Sequence, residues 1–185
     1  MSDHITTFSG IKFTPVTPDP AHININDIAH SLSLMCRGNG HIIHFYSVAQ
    51  HCINCAKEAM ARNFSRKVQL ACLLHDASEA YLSDITRPVK KYLPIYVEIE
   101  ENLQNIIYSH FLGSPLTAEE CQQVKQIDDD MLVNEFKDLM KREVFDCQIA
   151  VVSKPNLEFI NFADVEKEFL QIFNNLRESE TCNKQ

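Results

Sequence analysis

Between Ser65 and Ala77 the chain carries Val68, Leu70, Ala71, Cys72, Leu73, Leu74 and Ala77, a helical run that leaves few positions for water. A segment apolar on nearly every face must be surrounded by other elements, so this run predicts the central helix of a bundle, with Ser65 as its cap. Inside it sits His75-Asp76. An uncompensated carboxylate at such a place costs several kcal/mol or shifts its pKa until it is neutral, so a partner is required.

The remaining pattern is helical as well. Apolar positions from Asn26 to Met35 predict one helix, broken at Gly38-Asn39-Gly40. A second is expected from about His44 to Arg62, with Phe45, Val48, Ala49, Cys52, Ala56 and Ala59 forming its buried stripe. A helix over 95–111 ends near Gly113-Ser114-Pro115. The capping box Thr117 to Glu120 opens a long helix from Ala118 to about Lys141, and a last helix spans 164–177. Residues 148–162 lack a clear period and are expected to be loop with possible extended structure, and the turn formers and prolines of 5–24 predict a short hairpin or extended arm. The expectation is an all-α bundle with a short N-terminal extended segment, built as one domain over 1–185 and without internal repeats.

Several function classes are disfavoured. A net charge of -8 argues against a nucleic-acid binder, which needs a basic surface, though a bound metal can reverse the potential within one pocket. No stretch approaches the ~18 apolar residues of a membrane span. The N-terminal residues lack the basic start and apolar run of a secretory signal, which predicts a cytoplasmic protein. The seven cysteines, an odd number, fall mostly on helical stripes and are read as reduced; Cys52 and Cys55 have the spacing of half a zinc site, but core packing accounts for them better.

The pair His75-Asp76 has two readings: a core histidine capped by its neighbour, or two ligands of one ion, since adjacent helical residues are rotated by only ~100°. The stripe Cys121, Val124, Asp128, Met131, Leu132, Glu135, Leu139 favours the second, because it puts Asp128 on a buried face while Asp129 and Asp130 point elsewhere and read as solvated. His44 and His51 both fall on the stripe of the second helix. Two turns, ~10 Å of rise, separate them, too far for both to reach one ion through bonds of ~2.1 Å. His44 is taken as the ligand, His51 as a packed or hydrogen-bonded core histidine, and His41 as a residue that supports a ligand or lies on the substrate side. Glu79, one turn past His75, faces inward, and Arg87, Lys90 and Lys91 follow, of which Arg87 is a candidate phosphate contact. A mixed His and carboxylate set suits one divalent ion such as Mn, Co, Ni, Fe, Zn or Mg.

These motifs resemble those of the HD-domain metal-dependent phosphohydrolases. His44, three variable residues and Val48-Ala49 are similar to the family's first ligand motif. Residues 75–90 resemble the signature of the YfbR-like 5'-deoxynucleotidases, and 124–128 the segment holding their last metal ligand. The stretches 7–10, 25–29 and 40–51 are closer still to the prophage-encoded YfdR-like members; the resemblance covers about 6–140. It implies His44, His75, Asp76 and Asp128 as ligands, Glu79 as the residue that activates or positions water, Asp84 as a contact near the sugar or leaving oxygen, and Arg37 as a phosphate-side arginine. The loop between Arg37 and His44 is shorter than in the YfbR-like enzymes, so Arg37 would reach a phosphate differently. A homodimer and a small-molecule nucleotide substrate are implied too. The expected activity is release of phosphate from deoxynucleoside 5'-monophosphates, against two rivals: a dNTP triphosphohydrolase, and a non-catalytic nucleotide-binding regulatory module.

Overall fold

A computed structural model describes residues 3–142, 145–146 and 149–181, the last three by backbone alone. Two short strands, β1 (Ile5–Thr6) and β2 (Lys12–Phe13), pair antiparallel across a turn that closes on Gly10, where a positive φ suits glycine. Asp27 pins this hairpin by accepting from the Ser9 amide and hydroxyl, both at 2.7 Å. Among the described residues, all else that is regular is helical. The helices are α1 (Ile25–Leu34), α2 (Val48–Ala61), α3 (Arg66–Leu74), α4 (Glu79–Leu82), α5 (Arg87–Lys90), α6 (Pro94–Leu112), α7 (Ala118–Leu139) and α8 (Phe162–Thr181). The fold is all-α, as the periodicity requires.

The apolar run on α3 explains the architecture. Val68, Ala71, Cys72, Leu73 and Leu74 are fully buried, and α3 packs against α2, α6, α7 and α8 at once. Helix ends follow local chemistry. Ser65 accepts from the Val68 amide, Thr117 and Glu120 exchange bonds as a capping box, and Gly113 closes α6 in the left-handed conformation. Among the described residues, no helix is long and apolar enough to cross a membrane.

Two boundaries depart from expectation. Helix α2 begins at Val48 rather than His44, because the Ser47 side chain accepts from the Gln50 amide and caps it there. Helix α3 stops at Leu74, and residues 75–78 form a turn into α4, so His75-Asp76 lies at a helix end. Gln104 from α6 holds that turn: its amide donates to Leu74 O at 2.8 Å and its carbonyl accepts from the Ser78 amide at 3.1 Å.

Within 148–162 the described residues, 149–161, carry no regular element and are strapped to α2. Gln50, Asn54 and Glu58 are buried at four-residue spacing on one face of that helix. Gln50 donates to Asn156 O and Glu158 O, Asn54 donates to Asn156 O, and Glu58 accepts from the amides of Val152 and Ser153 at 2.9 and 2.7 Å. Cys36, Cys52, Cys55, Cys72 and Cys121 are free thiols, and Cys147 and Cys182 lie outside the described residues.

Candidate metal centre

Three helices deliver the polar cluster. His51 comes from the first turn of α2, His75 and Asp76 from the end of α3, and Asp128 from the middle of α7. His51 Nε2 lies 3.2 Å from His75 Nε2 and 3.2 Å from Asp128 Oδ1. His75 Nε2 lies 3.4 Å from Asp76 Oδ1 and 3.7 Å from Asp128 Oδ1. Donors on a common ion with bonds of ~2.1 Å sit ~3.0–3.4 Å apart, so these separations are close to those of a coordination sphere.

The protons argue the same way. His75 Nδ1 faces the Cys72 carbonyl at 2.8 Å, which can only accept, so this nitrogen carries the hydrogen. His51 Nδ1 faces the Glu135 carboxylate at 2.9 and 3.0 Å and is a donor too. In their neutral forms both rings therefore turn Nε2 lone pairs towards each other and towards two carboxylates. Four acceptors converge with no hydrogen between them, and positive charge is the remedy. The electrostatics agree: burial disfavours the charged form of His75, yet Asp76 and its other neighbours raise its pKa well above the ordinary value. Burial likewise opposes ionisation of Asp128, but once the rings are protonated, hydrogen bonds and charge from His51 and His75 hold it well below the carboxylate range.

These His, Cys and Asp groups can hold a metal ion. Sulfur offers alternative sets, Cys55 with His51 and His75, or Cys52 with His75 and Asp76. Burial pushes the Cys52 thiol up to about 11 and that of Cys55 upward too, so each stays protonated until a cation displaces its proton, whereas Asp76 and Asp128 are partly open to solvent. The carboxylate side is the better face for a hard or borderline ion.

His44 does not belong to the cluster, which corrects the expected ligand set. It precedes α2, and its Nε2 donates to Leu157 O at 2.9 Å. His51 stands in the place foreseen for it. The separation argument assumed one helix through both residues, and the Ser47 cap removes that assumption. The pattern Ser47 to Gln50 was the available signal, a serine followed three residues later by glutamine.

His41 is also misplaced by the sequence reading. It is exposed and lines a shallow pocket with Ile42, Leu139 and Arg142, eleven residues and so ~16 Å along α7 from Asp128. Asp130 was read as solvated but is buried, its carboxylate 2.8 Å from the Arg62 guanidinium of α2.

Arg37 is buried beside the cluster, with Nη1 3.4 Å from Asp76 Oδ2 and Nη2 3.9 Å from Glu135 Oε2. Burial opposes its charge, and Glu135, Asp76, Asp128 and Glu79 more than restore it. Arg87 reaches in from α5: Nη2 donates to Asp128 Oδ2 at 2.7 Å and Nη1 to Asp129 Oδ1 at 2.8 Å. Glu135 was not singled out from the sequence. Fully buried, it accepts from His51, and from Tyr46, whose hydroxyl in turn accepts from Asn54.

Glu79 lines a cavity of about 370 Å³ that opens beside His75 and Asp76 and is lined further by Lys90, Glu100 and Gln104, and Asp84 is near enough to act on the Glu79 carboxyl. Ser83, at φ 88, turns the chain sharply between the two. Burial, then Asp76 and Asp84, push the Glu79 carboxyl up to about 9, and its buried Oε2 has no hydrogen-bond partner.

A comparison with known protein families gives no match. The chain is 41% identical over 135 residues to the uncharacterized protein YfdR of Escherichia coli, covering 73% of this chain and 71% of that protein. It is 35% identical over 127 residues to an uncharacterized protein of Rhodobacter capsulatus, covering 65% of this chain and 64%, just under two thirds, of the relative.

Proposed function

We propose, from the premise that this chain belongs to the family of Escherichia coli YfdR, that it is an HD-type metal-dependent phosphohydrolase acting on nucleotides. The observation that carries this reading is the convergence of His51 Nε2, His75 Nε2, Asp76 Oδ1 and Asp128 Oδ1 beside a cavity whose volume suits a small molecule. These four residues would hold one divalent cation. When bound, the ion supplies Lewis-acid polarisation and a nucleophilic water at neutral pH.

The chain's own residues do the rest. Glu135 and the Cys72 carbonyl hold the two imidazoles in the tautomers that present Nε2. Arg37 balances Asp76 and Glu135. Glu79 exchanges a proton with the reacting water or the leaving oxygen. Its raised value marks a group held near protonation, and positive charge placed among the surrounding carboxylates draws it back towards neutrality, where proton exchange is most effective. Asp84, near enough to raise the Glu79 carboxyl, would contact the sugar or leaving oxygen, and Arg87 would turn to a phosphate on releasing Asp128.

The cavity wall favours a monophosphate over a triphosphate. Asp76, Glu100 and Glu101 line it against Lys90, which already pairs with Glu100 at 2.6 Å. A polyphosphate tail would meet uncompensated like charge there. The test is a product assay on protein loaded with Mn, Co or Mg and given dNMPs, NMPs, dNTPs and cyclic nucleotides. The expected products are inorganic phosphate and nucleoside from a dNMP. Tripolyphosphate from a dNTP would instead assign the triphosphohydrolase reaction, and binding without turnover would assign a regulatory module.

A further inference from the structure

A sulfur atom stands beside the histidine pair that the oxygen-facing site does not use. Cys55 follows His51 by one helical turn and is buried. Its Sγ lies 3.5 Å from His51 Nε2 and 3.9 Å from Nδ1, nearer the nitrogen that carries the lone pair. Ligand atoms of Cys55, His51 and His75 all lie within 4.8 Å of one another. For a tetrahedral ion with bonds of ~2.3 Å to sulfur and ~2.05 Å to nitrogen, sulfur and nitrogen sit ~3.6 Å apart and two nitrogens ~3.3 Å. The observed 3.5 and 3.2 Å match both values.

We propose that the centre has a second, inner binding mode, in which a thiophilic cation such as Cd²⁺ or Zn²⁺ is held by Cys55 together with His51 and His75. The proposal rests on the reading that the two histidines hold an ion and adds a sulfur ligand to it. Soft thiolate selects such ions, whereas Asp76 and Asp128 suit Mn or Mg. Cys52 offers sulfur only in a set with His75 and Asp76, while Cys55 Sγ contacts His51 and lies within 4.8 Å of a ligand atom of His75. Coordination forms one metal–sulfur bond and releases the thiol proton to solvent, with no change of oxidation state. Because His51 and His75 belong to both sets, the two modes exclude each other, and a thiophilic ion displaces the working one.

The experiment uses the full chain with Cys36, Cys121, Cys147 and Cys182 replaced by Ser, so that the sulfur signal comes from the core. Cadmium alone is titrated into this protein and into its Cys55→Ser derivative, reading sulfur-to-metal charge-transfer absorption and bound Cd per chain, with Mn binding measured in parallel. The parent is expected to take one Cd with a charge-transfer band and to lose bound Mn as it does so. Cys55→Ser is expected to bind Cd more weakly by on the order of 10–100-fold or more, the loss that even an outer partner of a ligand causes, with Mn binding unchanged. Cys55→Ala, checked by thermal unfolding, serves if the serine variant fails to fold. A band that survives both substitutions assigns the sulfur to Cys52 or Cys72, the thiols that remain, and overturns the proposal. Cadmium bound without a band overturns the inner mode and leaves the His and Asp site standing. Failure to bind either Cd or Mn overturns both.

Discussion

His51 Nδ1 and Glu135 Oε2 lie 2.9 Å apart with both side chains fully buried, and this bond aims the opposite nitrogen of the ring at His75 and Asp128. A carboxylate two turns along α7 from Asp128 thus sets the tautomer of a histidine on α2.

Glu135→Gln removes the anion that His51 and Arg37 share. Metal affinity is expected to fall by about 10–100-fold, as for an outer partner of a ligand. Stability is expected to fall by roughly 3–5 kcal/mol, because Arg37 loses a buried counter-charge. Calorimetric metal titration and denaturant unfolding measure the two effects. An unchanged metal affinity would mean that Glu135 serves packing only.

The choice between His51 and His44 is tested by elemental analysis. His51→Ala is expected to empty the site, whereas His44→Ala keeps the ion, since it removes only the bond to Leu157 O. The reverse outcome would restore His44 as the ligand.

Metal affinity is expected to rise with pH. The pKa of His75 is raised in the folded protein, so a proton competes for Nε2 until the pH passes that value, and cation binding must displace it. Mn titrations across neutral pH measure this, and a flat profile would contradict the assignment of His75.

Glu79→Gln is expected to retain the metal and lower turnover by roughly 10²- to 10⁴-fold, the range for losing a proton-transfer group. Turnover per metal-loaded molecule near that of the wild type would remove Glu79 from the chemistry.

Glu58 offers a stability test remote from the site. Burial opposes its ionisation, but bonds from Ser153, Val152 and Arg62 hold its carboxyl below the ordinary 4.5. A depressed carboxyl stabilises the fold above its unfolded pKa and loses that contribution as pH falls through the folded value. Glu58→Ala is expected to lower stability at neutral pH by about 1–3 kcal/mol for the amides left unpaired. Thermal unfolding at several pH values should show the gap from wild type narrowing below pH 4.5.

Local chemistry alone determined much of this protein. Ser65, Gly113 and the Thr117 to Glu120 box mark helix ends because their bonds are made within a few residues, and the apolar run on α3 announces a surrounded helix. The same stripes bring His75, Asp76 and Asp128 to one place. Other features depended on partners distant in the chain. The stripe of α2 reads equally well upstream to His44, yet residues before Ser47 are drawn off by the Cys36 to Ser47 bridge and by the Ile43 amide on Leu139 O. Asp130 is buried because Arg62 meets it from another helix, and Gln50, Asn54 and Glu58, polar on an apolar helix, find their partners about a hundred residues away. Periodicity records which face of a helix is buried, and only the packed chain decides what a buried polar group meets there.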